Sequence, residues 1–174
     1  VENIEALKLL IKSLIDQDIR LSLDASALRK EILPIIRGKN VVVTPHSGEF
    51  ERLFGEKIPA NKKTRISIVE KNAKKNLITI LLKGHDDIIS NGTNTLINSK
   101  KTPTMTVGGT GDVLSGIVAS MLSRNRNVLE STASAAFLNG QAGKITQKQF
   151  GNHMIATDLI DVLPLVSKIF DRIK

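Results

Sequence analysis

Apolar residues recur along the chain with two different periods, and their alternation lays out the elements. Ile4, Leu7, Ile11 and Leu14 fall at helical spacing up to about Asp16, and Ile19-Arg20-Leu21-Ser22-Leu23 then alternates as a strand does. Ser26 to Glu31 reads as a short helix broken at Pro34, and Asn40-Val41-Val42-Val43 is a continuous apolar run of the buried parallel type. Gly48 to Phe54 is expected to be helical, Gly55 to Asn61 a loop, and Lys62 to Lys75 a helix with Ile66, Val69 and Ala73 on one face. Leu77 to Leu82 is the next buried strand. Asp86 to Ser90 and Thr93 to Asn98 flank Asn91-Gly92, a strong hairpin signal that predicts two antiparallel strands. Only helices follow: Thr110 to Arg124, Val128 to about Lys148, and Ala156 to the C-terminus with a break at Pro164. No internal repeat, low-complexity tract or linker interrupts this order.

Helices and strands in alternation predict an α/β layer structure, with a mostly parallel central sheet and an appended antiparallel hairpin. At 174 residues, 41% of them apolar, the chain is enough for one domain with a sizeable core. A formal net charge of +8 raises polyanionic partners. Nucleic acid is a poor fit: the lysines cluster only at Lys62-Lys63, Lys74-Lys75 and Lys100-Lys101, and five Phe with no Tyr or Trp leave few rings for stacking. A solvated, lysine-rich surface is the better reading, and it would also attract a nucleotide. The absence of cysteine excludes disulfides and thiolate chemistry and is compatible with a reducing, cytoplasmic setting. No window approaches the roughly eighteen apolar residues of a membrane span. The chain opens on Val1, Glu2 and Glu5 without a basic-then-apolar leader, and a start at Val hints at a piece of something longer.

The chemistry concentrates in Met105-Thr106-Val107-Gly108-Gly109-Thr110-Gly111-Asp112-Val113-Leu114-Ser115-Gly116. Val113, Leu114, Ile117, Val118, Met121 and Leu122 form a helical stripe, so a helix begins at about Thr110. Its first amides lack intrahelical acceptors and carry the positive end of the helix dipole, so a phosphate placed there would be held by backbone donors without a side-chain cation. Glycines let that phosphate come close. Asp112 plants a carboxylate beside it, where a base acting on an alcohol would need to be. The string is neither GxxxxGK[ST], since no Lys follows the glycines, nor a GxGxxG with a later acidic residue.

Three strand ends carry further polar residues: Leu23-Asp24-Ala25-Ser26-Ala27-Leu28, Thr44-Pro45-His46-Ser47-Gly48-Glu49-Phe50, and Leu82-Lys83-Gly84-His85-Asp86-Asp87. Strand ends are the usual place for ligands in open parallel sheets. Taken singly, His46 reads equally as a cap for the following helix and Lys83-Gly84 as a solvated turn.

Taken together, the Thr-Pro-His-x-Gly-Glu string at Thr44 to Glu49 and the Gly-Thr-Gly-Asp-Val-Leu-x-Gly string at Gly109 to Gly116 resemble the NAD(P)H-hydrate dehydratase family of the ribokinase-like superfamily. Order and spacing match from about residue 1 to 170. The resemblance implies a ribokinase-like three-layer sandwich and a lyase of metabolite repair. In such an enzyme ADP or ATP, with Mg2+, drives loss of water from NADH hydrate or NADPH hydrate. It further implies that Asp112 deprotonates the hydroxyl of the hydrate, that the Gly109, Thr110 and Gly111 amides stabilise the transferring group, and that His46 and Asp112 contact the hydrated dinucleotide. Lys83, Gly84, His85, Asp86, Asp87 and Gly111 match the positions that hold the adenine nucleotide, and Glu49 would fix its loop or reach a metal through water. Ser26 stands where the family usually has a second acid, and Asp87 where a Thr is common. Family members carry a long further stretch before the first helix, so the chain is expected to be the C-terminal portion of a longer domain. Lacking that stretch, it should expose an unpaired sheet edge and an apolar face that lower the stability of a monomer, and a homo-oligomer, usual in the family, would help cover them. Two alternatives stand beside it: a sugar or vitamin-precursor kinase, which shares the glycine turn and Asp112 but stops after phosphoryl transfer and is disfavoured by Thr44-Pro45-His46 and the Val-Leu-Ser-Gly continuation, and a non-catalytic nucleotide-binding subunit.

Overall fold

Alternating side chains on three parallel strands divide the apolar residues between two faces of one sheet. The computed structural model describes residues 3–99, 102–125 and 127–170. Its five strands lie in the order β1 (Leu21–Leu23), β2 (Val41–Val43), β3 (Thr79–Leu82), β4 (Asp86–Ser90) and β5 (Thr95–Ser99). Leu21 pairs with Val41 and Val42 with Thr79 in parallel, whereas β4 runs antiparallel to β3 and pairs with β5 as a hairpin.

Val41, Val43, Ile80 and Leu82 point to one face, where they meet α1 (Ile4–Asp16), α2 (Leu33–Ile36), α3 (Ser47–Phe54) and α4 (Lys62–Asn76) through Ile11, Ile36, Phe50 and Val69. Val42, Leu81 and Ile89 point to the other, against Leu114, Ile117 and Val118 of α5 (Thr110–Arg124) and Ala135 and Ala136 of α6 (Val128–Phe150). A third cluster, built on Leu138, Ala142, Leu159 and Val162, packs α7 (Ala156–Lys168) onto α6. The result is the expected arrangement of helices on both faces of a sheet whose parallel strands carry an appended antiparallel hairpin, a mixed sheet of five strands.

Three local expectations are corrected. The Ser26 to Glu31 helix is instead two 3-10 turns, Ala25–Ala27 and Lys30–Ile32, and Pro34 lies in the first turn of α2 rather than breaking a helix. That is where its missing N–H costs nothing. Pro164 does not break the last helix, because α7 runs through it to Lys168. Pro164 is exposed, so the carbonyl it leaves without a donor can turn to water. Leu77 belongs to no strand: it ends α4 in the left-handed region at φ 53° and is 60% exposed.

Among the described residues β1 is paired only with β2, and its other edge is open. No described helix is long and apolar enough to cross a membrane. Because β1, β2 and β3 are parallel, their C-terminal ends emerge along one rim of the sheet.

The packing generates a contrast in stability. Leu81, fully buried between the sheet and α5 with α6, should cost about 2–5 kcal/mol on truncation to Ala, read from urea unfolding. Leu77→Gly should raise stability by about 1 kcal/mol, since it relieves a left-handed side chain that contributes little burial.

Candidate functional site

The rim of the sheet gathers a cation between two carboxylates. The Lys83 amide donates to the Pro45 carbonyl at 2.8 Å, which carries the β2–β3 pairing one bond past the strands and fixes where the Lys83 side chain departs. Its Nζ lies 2.8 Å from Oδ1 of Asp24, at the end of β1, and 3.4 Å from Oε2 of Glu49 in α3. The Lys83 side chain is 17% exposed, and those of Asp24 and Glu49 are 10% exposed. At that burial each charge needs its partner.

Glu49 is fixed from its other side by a capping box. The His46 amide donates to Glu49 Oε2 at 2.8 Å, while the Gly48 and Glu49 amides donate to His46 Nδ1 at 3.0 and 3.3 Å. The imidazole therefore caps α3, the helix-capping role that its sequence position offered. Since Nδ1 accepts, the proton of the neutral ring sits on Nε2, and the ring stands well exposed at the rim.

Opposite Lys83 lies the mouth of α5. Gly109 caps this helix at φ 88°, and a Cβ built there would meet the Ala156 Cβ at 2.9 Å, so both backbone and space demand glycine. Thr110 Oγ1 lies 3.0 Å from the Met105 carbonyl and 2.9 Å from that of Val107, which ties the glycine turn to the helix start. The Thr110 amide donates to Val107 over 3.4 Å, whereas the Gly109, Gly111 and Asp112 amides find no acceptor among the described residues. A Cβ on Gly111 would sit 3.2 Å from Lys83 Nζ. The ammonium thus lies against the helix mouth, and its charge adds to the partial charge of the open amides.

Asp112, one residue further round the helix, is exposed and borders a groove of about 530 Å³ between α5 and α7, lined by Gly116, Ile117, Ile160 and Leu163. One end of this groove is therefore charged and its floor apolar.

The turn after β3 divides its residues by task. Asp87 is fully buried, and its carboxylate accepts from the Gly84 amide at 3.2 Å and from Asn98 Nδ2 at 3.3 Å, so it shapes the turn from within. Asp86 pairs with Lys62 at 2.6 Å, and the Lys62 ammonium, helped by Ser99, holds its carboxyl below the usual carboxylate range. The His85 side chain is 81% exposed, with Nδ1 3.4 Å from Asp86 Oδ1. Of this segment it is Lys83 that reaches α5. Among the described residues no three His, Asp or Glu side chains gather to hold a metal ion.

The model of the NAD(P)H-hydrate dehydratase family matches residues 1–165. The chain belongs to this family. The ADP-dependent (S)-NAD(P)H-hydrate dehydratase of Nitrosopumilus maritimus is 59% identical over 174 residues, covering 99% of this chain and 60% of that protein. The one from Cenarchaeum symbiosum is 57% identical, covering 97% of this chain and 59% of that protein. A crystal structure of the ADP/ATP-dependent NAD(P)H-hydrate dehydratase from Bacillus subtilis, co-crystallised with ATP/Mg2+, aligns with TM-score 0.84 at 29% identity, over 96% of this chain and 61% of that one. The fold is accordingly ribokinase-like. The chain spans about three fifths of the length of the two archaeal relatives.

In this member of the NAD(P)H-hydrate dehydratase family the structure brings His46, Glu49, Lys83, Gly109, Thr110, Gly111 and Asp112 to one rim, with Gly84 in the turn beside them. It leaves His85 in solvent and Asp87 inside. Asp24 is the member of the cluster to which the sequence reading gave no task; its signal was a lone acid at a strand end.

Two outcomes follow from this geometry. Gly109→Ala should lower stability by about 1–2 kcal/mol or more in urea unfolding, from the left-handed backbone alone. Asp86 has its folded pKa lowered, so the stability it contributes is present above the unfolded value near pH 4 and is lost as pH falls through the folded one. Lys62→Met should therefore flatten the acid limb of a melting-temperature profile, by under about 1 kcal/mol for this half-exposed pair.

Proposed function

We propose that this site carries out the ADP-driven dehydration of hydrated NADH or NADPH. The observation that carries the reading is the α5 mouth, where the amides of Gly109, Gly111 and Asp112, without an acceptor among the described residues, lie beside the Lys83 ammonium, with the Asp112 carboxylate in the first turn of the same helix. An anion with a reacting hydroxyl beside it suits that combination of donors and base. ADP is the donor favoured by the names of the two archaeal relatives, and the Bacillus subtilis protein is named for both ADP and ATP.

In the proposed sequence Asp112 accepts the proton of the ring hydroxyl as its oxygen bonds to the terminal phosphorus of ADP. The bond from that phosphorus to AMP breaks, and the open amides with Lys83 meet the charge on the transferring oxygens. The phosphate ester then leaves as inorganic phosphate, with loss of a ring proton, and the reduced nicotinamide is restored. His46, with its proton fixed on Nε2, offers a donor to the dinucleotide. Lys83 and the Gly84 to Asp87 turn flank the adenine nucleotide, Asp87 from the inside.

Mg2+ would screen the phosphate charge. The described residues offer no cage for it, which fits an ion held mainly by phosphate oxygens and water, and Glu49 already accepts from His46 and faces Lys83.

The test supplies NADPH hydrate, ADP and Mg2+ and follows absorbance in the reduced-nicotinamide band. The proposal expects a rise that Asp112→Asn slows by about a hundredfold or more, the range of a lost general base. A persistent phosphorylated product would instead select a kinase. ADP binding without turnover would select a nucleotide-binding subunit.

A further inference from the structure

Lysine side chains are flexible, and holding one in place costs rotamer entropy. Lys83 is nevertheless fixed at its tip. Asp24 approaches it from the end of β1 at 2.8 Å and Glu49 from α3 at 3.4 Å, while Gly111 leaves the remaining side open toward the α5 amides. A salt bridge that served only to join β1 to β3 would not need its ammonium against a helix mouth where the Gly109, Gly111 and Asp112 amides have no acceptor among the described residues.

We propose that Asp24 is a positioning residue: with Glu49 it clamps the Lys83 ammonium over the mouth of α5, so that a fixed positive charge meets the group in transit. This rests on the phosphoryl-transfer reading of the site. The clamp is preorganisation, a charge whose orienting cost is met in the folded protein rather than at the moment of reaction. Two carboxylates outnumber the single ammonium, so Asp24 does not serve ground-state attraction of a nucleotide. Its contribution lies in where Lys83 stands.

Asp24→Asn should therefore lower kcat without weakening the nucleotide, whereas Lys83→Met should do both. A double-mutant cycle separates positioning from mere structure. Asp24→Asn is expected to reduce kcat about tenfold when Lys83 is present and less than about twofold in the Lys83→Met background, because its effect passes through the lysine. Calorimetry of Mg2+-ADP binding on the same four proteins is expected to show about tenfold weakening for Lys83→Met and none for Asp24→Asn.

Equal factors for Asp24→Asn in both backgrounds, or a loss of kcat that merely follows a lowered melting temperature, would overturn the proposal. If the parent chain binds ADP but does not turn over, the dehydratase reading fails and the clamp is judged on the order of the Lys83 side chain by NMR: loss of that order in Asp24→Asn supports the clamp, and unchanged order rejects it. Should Lys83→Met fail to fold with two carboxylates left unpaired, Lys83→Gln, which keeps a donor for Asp24, takes its place in the cycle.

Discussion

One ammonium held between two carboxylates, where three parallel strands end, is the interaction on which the site depends. Lys83 can meet Asp24 only because β1, β2 and β3 run the same way and finish on one rim. It can meet Glu49 only because His46 starts α3 directly after β2 and ties the glutamate to its own amide. The open amides of α5 then lie beside a fixed charge. Removing the sheet's direction, the capping box or the glycine at position 111 would each separate these groups. The framework is thus ordinary α/β packing, and the chemistry comes from what that packing forces together.

Surface charge and site charge point in opposite directions. The chain carries a net +8, yet at the rim Asp24 and Glu49 close on one lysine and Asp112 stands in the first turn of α5. The scattered surface lysines favour approach of a polyanion from a distance. At the rim, backbone amides and one oriented ammonium take over, Asp24 and Glu49 confine that ammonium, and Asp112 is the acid proposed to accept a proton. A long-range field and a short-range geometry are therefore supplied by different residues.

The legible parts were those written in local periodicity. The stripe from Val113 to Leu122 set the start of α5, the Val41–Val43 run marked a central strand, and Asn91-Gly92 marked the hairpin. Turns and helix ends were less legible because a single backbone angle decides them. Leu77 in the left-handed region cuts short an apolar run that reads as strand, and Asp18 at φ 57° does the same before Leu21. Pro164 misled because a proline on the solvent face leaves its orphan carbonyl to water. His46 supported two readings, cap and ligand, and the structure fills the first while leaving the ring exposed. The Asp24–Lys83 pair spans 59 positions, and no local pattern records a contact that only the strand order creates.

That separation bears on how the molecule assembles in time. Ser90 and Thr95 are partners a few residues apart, so the β4–β5 hairpin closes a short loop, whereas Leu21 must find Val41 and Val42 must find Thr79 across intervening helices. Loop-closure entropy rises with that distance, and parallel pairings are the slow contacts of such a fold. The lysine clamp ties the ends of β1 and β3 across both of these long loops. A nascent or partly unfolded chain can hold its hairpin and several helices while having no organised charge at the mouth of α5. Competence at the rim is in this sense a late product of folding, and its appearance would mark arrival at the native topology more faithfully than helix content does.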